Sequence, residues 1–153
     1  MIEVRAVAAS DVPEVTKLVA EVLGEFGLEF GKGSKTDEEL YALPASYTER
    51  GGAFWVADRG GELLGTCGVF PLSSTMFELR KMYLRPASRG LGIGTQMLET
   101  AIEWSRKQKA SHMVLDTTHE MRRAIAFYES HGFVRDDAHI RGARCSRGYI
   151  RAL

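Results

Sequence analysis

The run Arg89-Gly90-Leu91-Gly92-Ile93-Gly94 sits between a strand-like segment and a helical one, with Thr95 and Gln96 directly after it. Glycines let a backbone approach an anion closely, and the N–H groups at a helix start point outward with the positive end of the dipole. Arg89 adds a fixed cation, so the turn could cradle a pyrophosphate. Two other phosphate motifs fail. A GxGxxG fingerprint needs its third glycine where Thr95 stands, and a P-loop needs a Gly-Lys-Ser/Thr step that is absent. A tight strand-to-helix turn would also require glycines here, and the turn alone leaves both readings open. Glu78 is the second candidate, because a carboxylate inside an apolar strand needs a reason. It could accept a proton, or it could pair with Arg80 or Lys81 on a solvated edge. Tyr128 carries a titratable hydroxyl, yet it shares a helical face with Met121, Ala124 and Ile125, and spacing alone reads it as core.

Other chemistries find little support. His112, His119, His131 and His139 show no HxxxH or HExxH spacing, and no metal site is expected. Cys67 and Cys145 fall outside any CxxC pattern and read as reduced thiols of a cytoplasmic protein, Cys67 as a small core residue. Glu3, Arg5 and Asp11 interrupt the start where a signal peptide needs an apolar stretch, and no apolar run nears the roughly 18 residues of a membrane span. With 153 residues, 44% hydrophobic and 26% charged, one globular domain over 1–153 is expected. Twenty basic against twenty acidic side chains argue against a nucleic-acid partner. The zero conceals a split, six basic and twelve acidic in 1–77 against fourteen and eight in 78–153. Halves of opposite sign could face partners of opposite charge.

The elements that must hold these residues follow from periodicity. Ile2–Val7 reads as a strand. Ser10 is a candidate N-cap for a helix with Pro13 in its first turn and Val15, Leu18, Val19, Val22, Leu23 and Phe26 on one face. Phe30–Ser34, including Gly33, reads as a loop, and a weaker helix follows from Thr36 or Asp37 to about Tyr47. Ala53–Asp58 and Leu63–Phe70 form a hairpin around Arg59-Gly60-Gly61-Glu62, and Met76–Leu84 is a third strand stopped by Arg85-Pro86. A helix over Gly92–Lys109, a strand at His112–Asp116, a helix at Met121–His131, a strand opening at Gly132-Phe133 and a last one around Ser146–Leu153 complete a mixed α/β order.

Two segments together resemble a known family. Glu78–Leu84 with Arg85-Pro86 and then Arg89-x-x-Gly92-x-Gly94 resembles motif A of the GNAT N-acetyltransferase superfamily. Ala124-Ile125-Ala126-Phe127-Tyr128-Glu129-Ser130-His131-Gly132-Phe133 resembles its motif B. The likeness spans the chain, since Gly51–Phe70 resembles the family's β2–β3 hairpin, and it is closest in kind to bacterial single-domain members. It implies an α/β (α+β) acyl-CoA N-acyltransferase fold. That fold has a mostly antiparallel sheet of about six or seven strands flanked by about four helices, splayed between the strands at 76–84 and 112–117.

The resemblance further implies transfer of an acetyl group from acetyl-CoA to a primary amine by direct attack. It assigns the pyrophosphate to the turn Arg89, Gly90, Leu91, Gly92, Ile93, Gly94 and Thr95, chiefly through backbone amides. Met82, Tyr83 and Leu84 would line the pantetheine arm, and an amide near Met82 would polarise the thioester carbonyl. Tyr128 would protonate the departing thiolate, and Glu78, or more remotely Glu29, would receive the acceptor's proton. Many relatives carry Asn where this chain has Met121; Thr117, Thr118 or a backbone group would then supply the missing pantetheine contact. Glu29 and Phe30 belong to the region that forms the family's acceptor wall. The acids there suit a small cationic amine, with a protein or peptide amine behind it. A non-catalytic acyl-CoA-binding regulatory module is the competing reading. The family's habit of pairing through C-terminal strands places a homodimer edge at Cys145–Ile150.

Overall fold

The computed structural model describes residues 1–32 and 34–153, so Gly33, expected within a loop, lies outside the described residues. Seven strands form one sheet: β1 (Glu3–Ala6), β2 (Ala53–Arg59), β3 (Glu62–Pro71), β4 (Met76–Leu84), β5 (His112–Thr117), β6 (Val134–Arg135) and β7 (Arg147–Ala152), in the order β1-β2-β3-β4-β5-β7-β6. Every neighbouring pair is antiparallel except β4 and β5. Four α-helices accompany it: α1 (Val12–Gly24), α2 (Ala45–Thr48), α3 (Ile93–Lys107) and α4 (Arg122–Ser130).

Alternation along β2 builds a core on each face. Phe54 and Val56 pack with Val15, Leu18, Val19, Val22 and Leu23 of α1. Trp55 and Ala57 point the other way, onto Ile93, Met97, Leu98, Ala101 and Ile102 of α3. The α1 stripe expected from periodicity is therefore buried from Val15 to Leu23, with Phe26 past the helix end half-buried, and the α3 face is buried likewise.

Four local expectations are corrected. Ser10 caps nothing; Asp11 instead accepts the Ala8 N–H at 2.8 Å and a two-pronged bond from Arg5 at 2.8 and 2.9 Å, and α1 begins at Val12. The single helix expected over 36–47 is a 3-10 helix at Lys35–Ala42 followed by the one-turn α2. Pro44 divides them, because the residue before a proline is pushed out of the helical region and Leu43 is extended at φ −65°, ψ 146°. The strand opening at Gly132 is only two residues long. The C-terminal strand is interior, with β5 on one side and β6 covering Tyr149 and Ile150 on the other, so it offers no open edge there.

The site is positioned by a fault in the sheet. β4 and β5 pair only at Met76–His112, Phe77–Met113 and Glu78–Val114, then diverge, which is the splay that the family resemblance implies. Farther along, the β3–β4 register shifts between Thr66 and Gly68, and Lys81 takes a left-handed φ of 53°. This is a β-bulge, and the buried Thr66 hydroxyl secures it by donating to the Lys81 carbonyl at 2.7 Å. Thr66→Val keeps the side-chain shape but strands that carbonyl. It should lower stability by about 1–3 kcal/mol in urea unfolding. A loss within error of zero would mean that the bulge is held by something else.

Candidate active site

Two cavities open where β4 and β5 part. The first, of ≈ 530 Å³, is lined by Met82, Tyr83, Leu84, Arg89, Gly90, Gly92, Gly94 and Thr95, with the start of α4 opposite. Gly90 and Gly92 have φ of 79° and 81°, which side chains resist, and nothing stands within 4 Å of where a Cβ would project. Gly94 is glycine for a different reason: a Cβ there would come within 3.3 Å of Leu84 Cδ1 and 3.4 Å of the Phe127 ring. No backbone acceptor among the described residues takes the N–H groups of Gly90 through Thr95; the first helical bond of this turn is Gln96 N–H to the Gly92 carbonyl at 3.1 Å. Six unpaired donors in this turn, four of them from residues that line the cavity, with the exposed Arg122 and Arg123 across it, fit the phosphates of a CoA-type ligand.

Part of the expected cradle is otherwise engaged. The Arg89 N–H bonds the Pro86 carbonyl at 3.2 Å, and its guanidinium forks onto Glu25 at 2.8 Å twice and reaches the Leu84 carbonyl at 3.0 Å. Leu91 is exposed and Ile93 is buried in the core, and neither is among the residues that line the cavity. Thr117 lies on the other cavity, where its hydroxyl approaches the Met121 sulfur at 3.6 Å; Thr118 beside it bonds Glu120.

That second cavity, of ≈ 690 Å³, shares Met82, Tyr83, Met121, Ala124 and Tyr128 with the first. The shared residues make one passage through the splay. Tyr128 is buried against Phe127 and Phe133, each ring centroid 5.7 Å away, while its hydroxyl makes no hydrogen bond to any described residue. Burial pushes that hydroxyl far up from the ordinary tyrosine value, with a smaller push from Cys67 and Tyr83, and Tyr128 stays protonated at neutral pH. It is at once a core residue and a cavity residue.

Glu78 faces the second cavity from the last paired position of β4. Its carboxylate is bonded to Arg80 and lies 3.8 Å from Arg141 Nε. The Arg80 partnership considered from sequence is real, but it is buried and not on a solvated edge: Arg80 also reaches Glu39 at 3.3 Å and stacks 4.1 Å over the Phe70 ring. Glu29 and Phe30 are not on the wall. Glu29 is exposed and paired with Lys32 at 3.1 Å, and Phe30 packs edge-on against Tyr41.

The most deeply buried charges are marked in the sequence only by the adjacent Arg80 and Lys81 inside an apolar strand. Asp37 is fully buried and accepts from Lys81, from Arg144 at 3.1 Å on each oxygen, and from the Gly31 N–H at 2.8 Å. Burial opposes its ionisation, but Arg144 and Lys81 outweigh burial and hold the carboxyl below its ordinary range. Burial pulls the Lys81 ammonium the other way, below the usual lysine value, against the opposing pull of Asp37. Tyr83 beside them is pushed up to about 12 by burial. Among the described residues no group of three His, Cys, Asp or Glu is placed to hold a metal, and no helix is long and apolar enough to cross a membrane.

The fold is that of an acyl-CoA N-acyltransferase, and comparison with known proteins agrees. The family model described as Acetyltransferase (GNAT) family matches residues 19–133. The chain is 35% identical over 133 residues to the uncharacterized N-acetyltransferase YjgM of Escherichia coli (strain K12), covering 84% of this chain and 80% of that one. A GNAT-family acetyltransferase from Staphylococcus aureus Mu50 superposes at TM-score 0.91 with 25% identity, over 100% of this chain and 99% of that one. A PaiA N-acetyltransferase from Thermoplasma acidophilum, solved in complex with coenzyme A, superposes at 0.75 with 17% identity, over 100% and 99%. The chain belongs to the GNAT acetyltransferase family.

Removing the shared counter-ion of the buried cluster should be costly. Asp37→Asn leaves Lys81 and Arg144 without it, for an expected loss of about 3–5 kcal/mol in urea unfolding at pH 7. Because the carboxyl is held below its ordinary value, this stabilisation is complete above the unfolded value of about 3.9 and fades as pH falls through the folded one. The gap between wild type and variant should therefore narrow below about pH 4.

Proposed function

We propose that the chain is an acetyl-CoA-dependent N-acetyltransferase acting on a primary amine, of a small molecule in preference to a protein, by direct attack in a ternary complex. The observation that carries this reading is the continuous passage whose two halves meet at Met82 and Tyr128. Acetyl-CoA would bring the activated acetyl group as its thioester. The amides of Gly90–Thr95 would hold its phosphates, assisted by Arg122 and Arg123. The edge of β4 over Met82–Leu84, unpaired where β5 diverges, would accept the pantetheine arm as an added strand. The bulge at Lys81 turns the backbone so that the Met82 N–H can stabilise charge growing on the carbonyl oxygen.

Tyr128 is the group we assign to the departing thiolate. Its raised pKa keeps it a donor, and its lack of a protein partner leaves that donor available. Glu78 is the assigned proton acceptor for the amine, acting through water and held in place by Arg80. Both cysteines are free thiols, which supports a reducing compartment and so the cytoplasm. The alternative of a binding module without catalysis draws on Met121, which stands at the start of α4 and provides no side-chain cap there.

Release of free thiol from acetyl-CoA across an amine panel separates the two. CoA binding without turnover on any amine would support the module. Tyr128→Phe should reduce kcat by about 10²–10⁴-fold while leaving the KM for acetyl-CoA little changed. An unchanged kcat would remove Tyr128 from the chemistry.

A further inference from the structure

The acidic acceptor wall expected from the charge split is not what lines the second cavity. Its cationic side chains are Lys35, Arg80, Lys81, Arg141 and Arg144, and its carboxylates are Glu38, Glu78 and Asp116. Two of those carboxylates are already engaged by the protein: one oxygen of Asp116 takes the backbone N–H groups of Arg141 and Gly142 at 2.7 Å each, and Glu78 is held by Arg80, while Glu38 is exposed.

The buried cluster behind the wall is unbalanced. Lys81 and Arg144 share the single carboxylate of Asp37. Arg144 commits three of its five donors to Asp37 and to the Lys32 carbonyl at 2.9 Å. Lys81 commits fewer: an ammonium has three donors, and only Asp37 accepts from it among the described residues. Lys81 is 8% exposed and is among the residues that line the cavity, so the other two donors lie within reach of a ligand there. A second cation guards the rim. The loop at 141–145, pinned by Asp116 at one end and by Arg144–Asp37 at the other, presents the exposed Arg141 with only a 3.8 Å approach to Glu78.

A buried ammonium with spare donors is costly unless an anion completes it. We infer that the acceptor amine also carries a carboxylate, in the manner of an amino acid, which Lys81 binds from inside the cavity and Arg141 binds from the rim. The inference rests on the acetyltransferase reading of this site and deepens it. A carboxylate there pairs with charge-assisted donors and leaves the amine free to point along the passage towards Met82 and Tyr128. Polyamines and peptide lysine side chains would bring further positive charge to a surface that already has an excess of it.

The test compares amines that differ only in the carboxylate: phenylalanine, leucine and methionine, each against its decarboxylated amine and its carboxamide. Thiol release from acetyl-CoA should give a kcat/KM at least about tenfold higher for the amino acids, carried mainly by KM. Calorimetry with CoA present should show the N-acetylated amino acids binding more tightly than their neutral amides. Lys81→Met should collapse both preferences. Because that variant disturbs a buried cluster, the exposed Arg141→Gln is the companion, and it should reduce the preference several-fold.

Equal or better use of the decarboxylated amines overturns the inference and leaves the acetyltransferase reading standing. A Lys81→Met or Arg141→Gln enzyme that slows all amines alike also overturns it, because a merely structural role would do that. CoA binding with no turnover on any amine counts against the acetyltransferase reading. The N-acetyl ligands still decide the anion site in that case, and their failure to bind over the neutral amides would overturn it too.

Discussion

Three residue pairs of parallel ladder are all that join β4 to β5, and the molecule's cavities follow from what happens beyond them. A backbone that leaves a sheet must still satisfy its N–H and C=O groups. Past Glu78, β4 keeps its bonds to β3 on one side and loses them on the other. Lys81 adds a left-handed residue, which an L side chain adopts only at a cost, and the Thr66 hydroxyl offsets it. The result is an open strand edge at the floor of a passage whose two mouths lie on opposite sides of Tyr128. The pantetheine arm of the proposed donor has the extended amide chemistry that such an edge lacks.

What could be read from the sequence was whatever is written in local pattern. The α1 and α3 stripes, the β2–β3 hairpin and the limits of β4 needed only periodicity and turn residues. The glycine turn could be read because Gly90 and Gly92 record a backbone conformation directly. Where the reading failed, a single local constraint overrode a weak pattern: Pro44 against a continuous helix, or the 3-10 turn Ala9–Asp11, closed by the Ala8 N–H on Asp11, taking up Ser10 before α1 begins. The family resemblance supplied the splay and the roles proposed for Met82 and Tyr128, which no spacing in this chain encodes.

The buried cluster was illegible for a different reason. Asp37 meets Lys81 across 44 residues and Arg144 across 107, and nothing local marks any of the three as buried. Lys81 also gives no sequence sign of its left-handed backbone, because it is not glycine. Two adjacent basic residues, Arg80 and Lys81, inside an apolar strand were the available hint. Period-two alternation should place one of them in each face, and a bulge is one way a strand accommodates both.

The opposite charges of the two halves are largely spent on each other. Arg85 of the basic half reaches Glu14 and Glu21, Arg89 holds Glu25, Arg80 holds Glu39, and Asp37 receives Lys81 and Arg144. These pairs hold α1 and the 3-10 segment against the sheet. The exposed ones contribute little individually, whereas the cluster at Asp37 is buried and its balance matters. An imbalance that looked like two surfaces for two partners is therefore mostly an internal clamp. What remains after the clamp is positive at both ends of the passage, Arg122 and Arg123 on one side and Lys81 and Arg141 on the other. The phosphates of the proposed donor would answer the first excess, and a carboxylate on the acceptor is the simplest group that would answer the second.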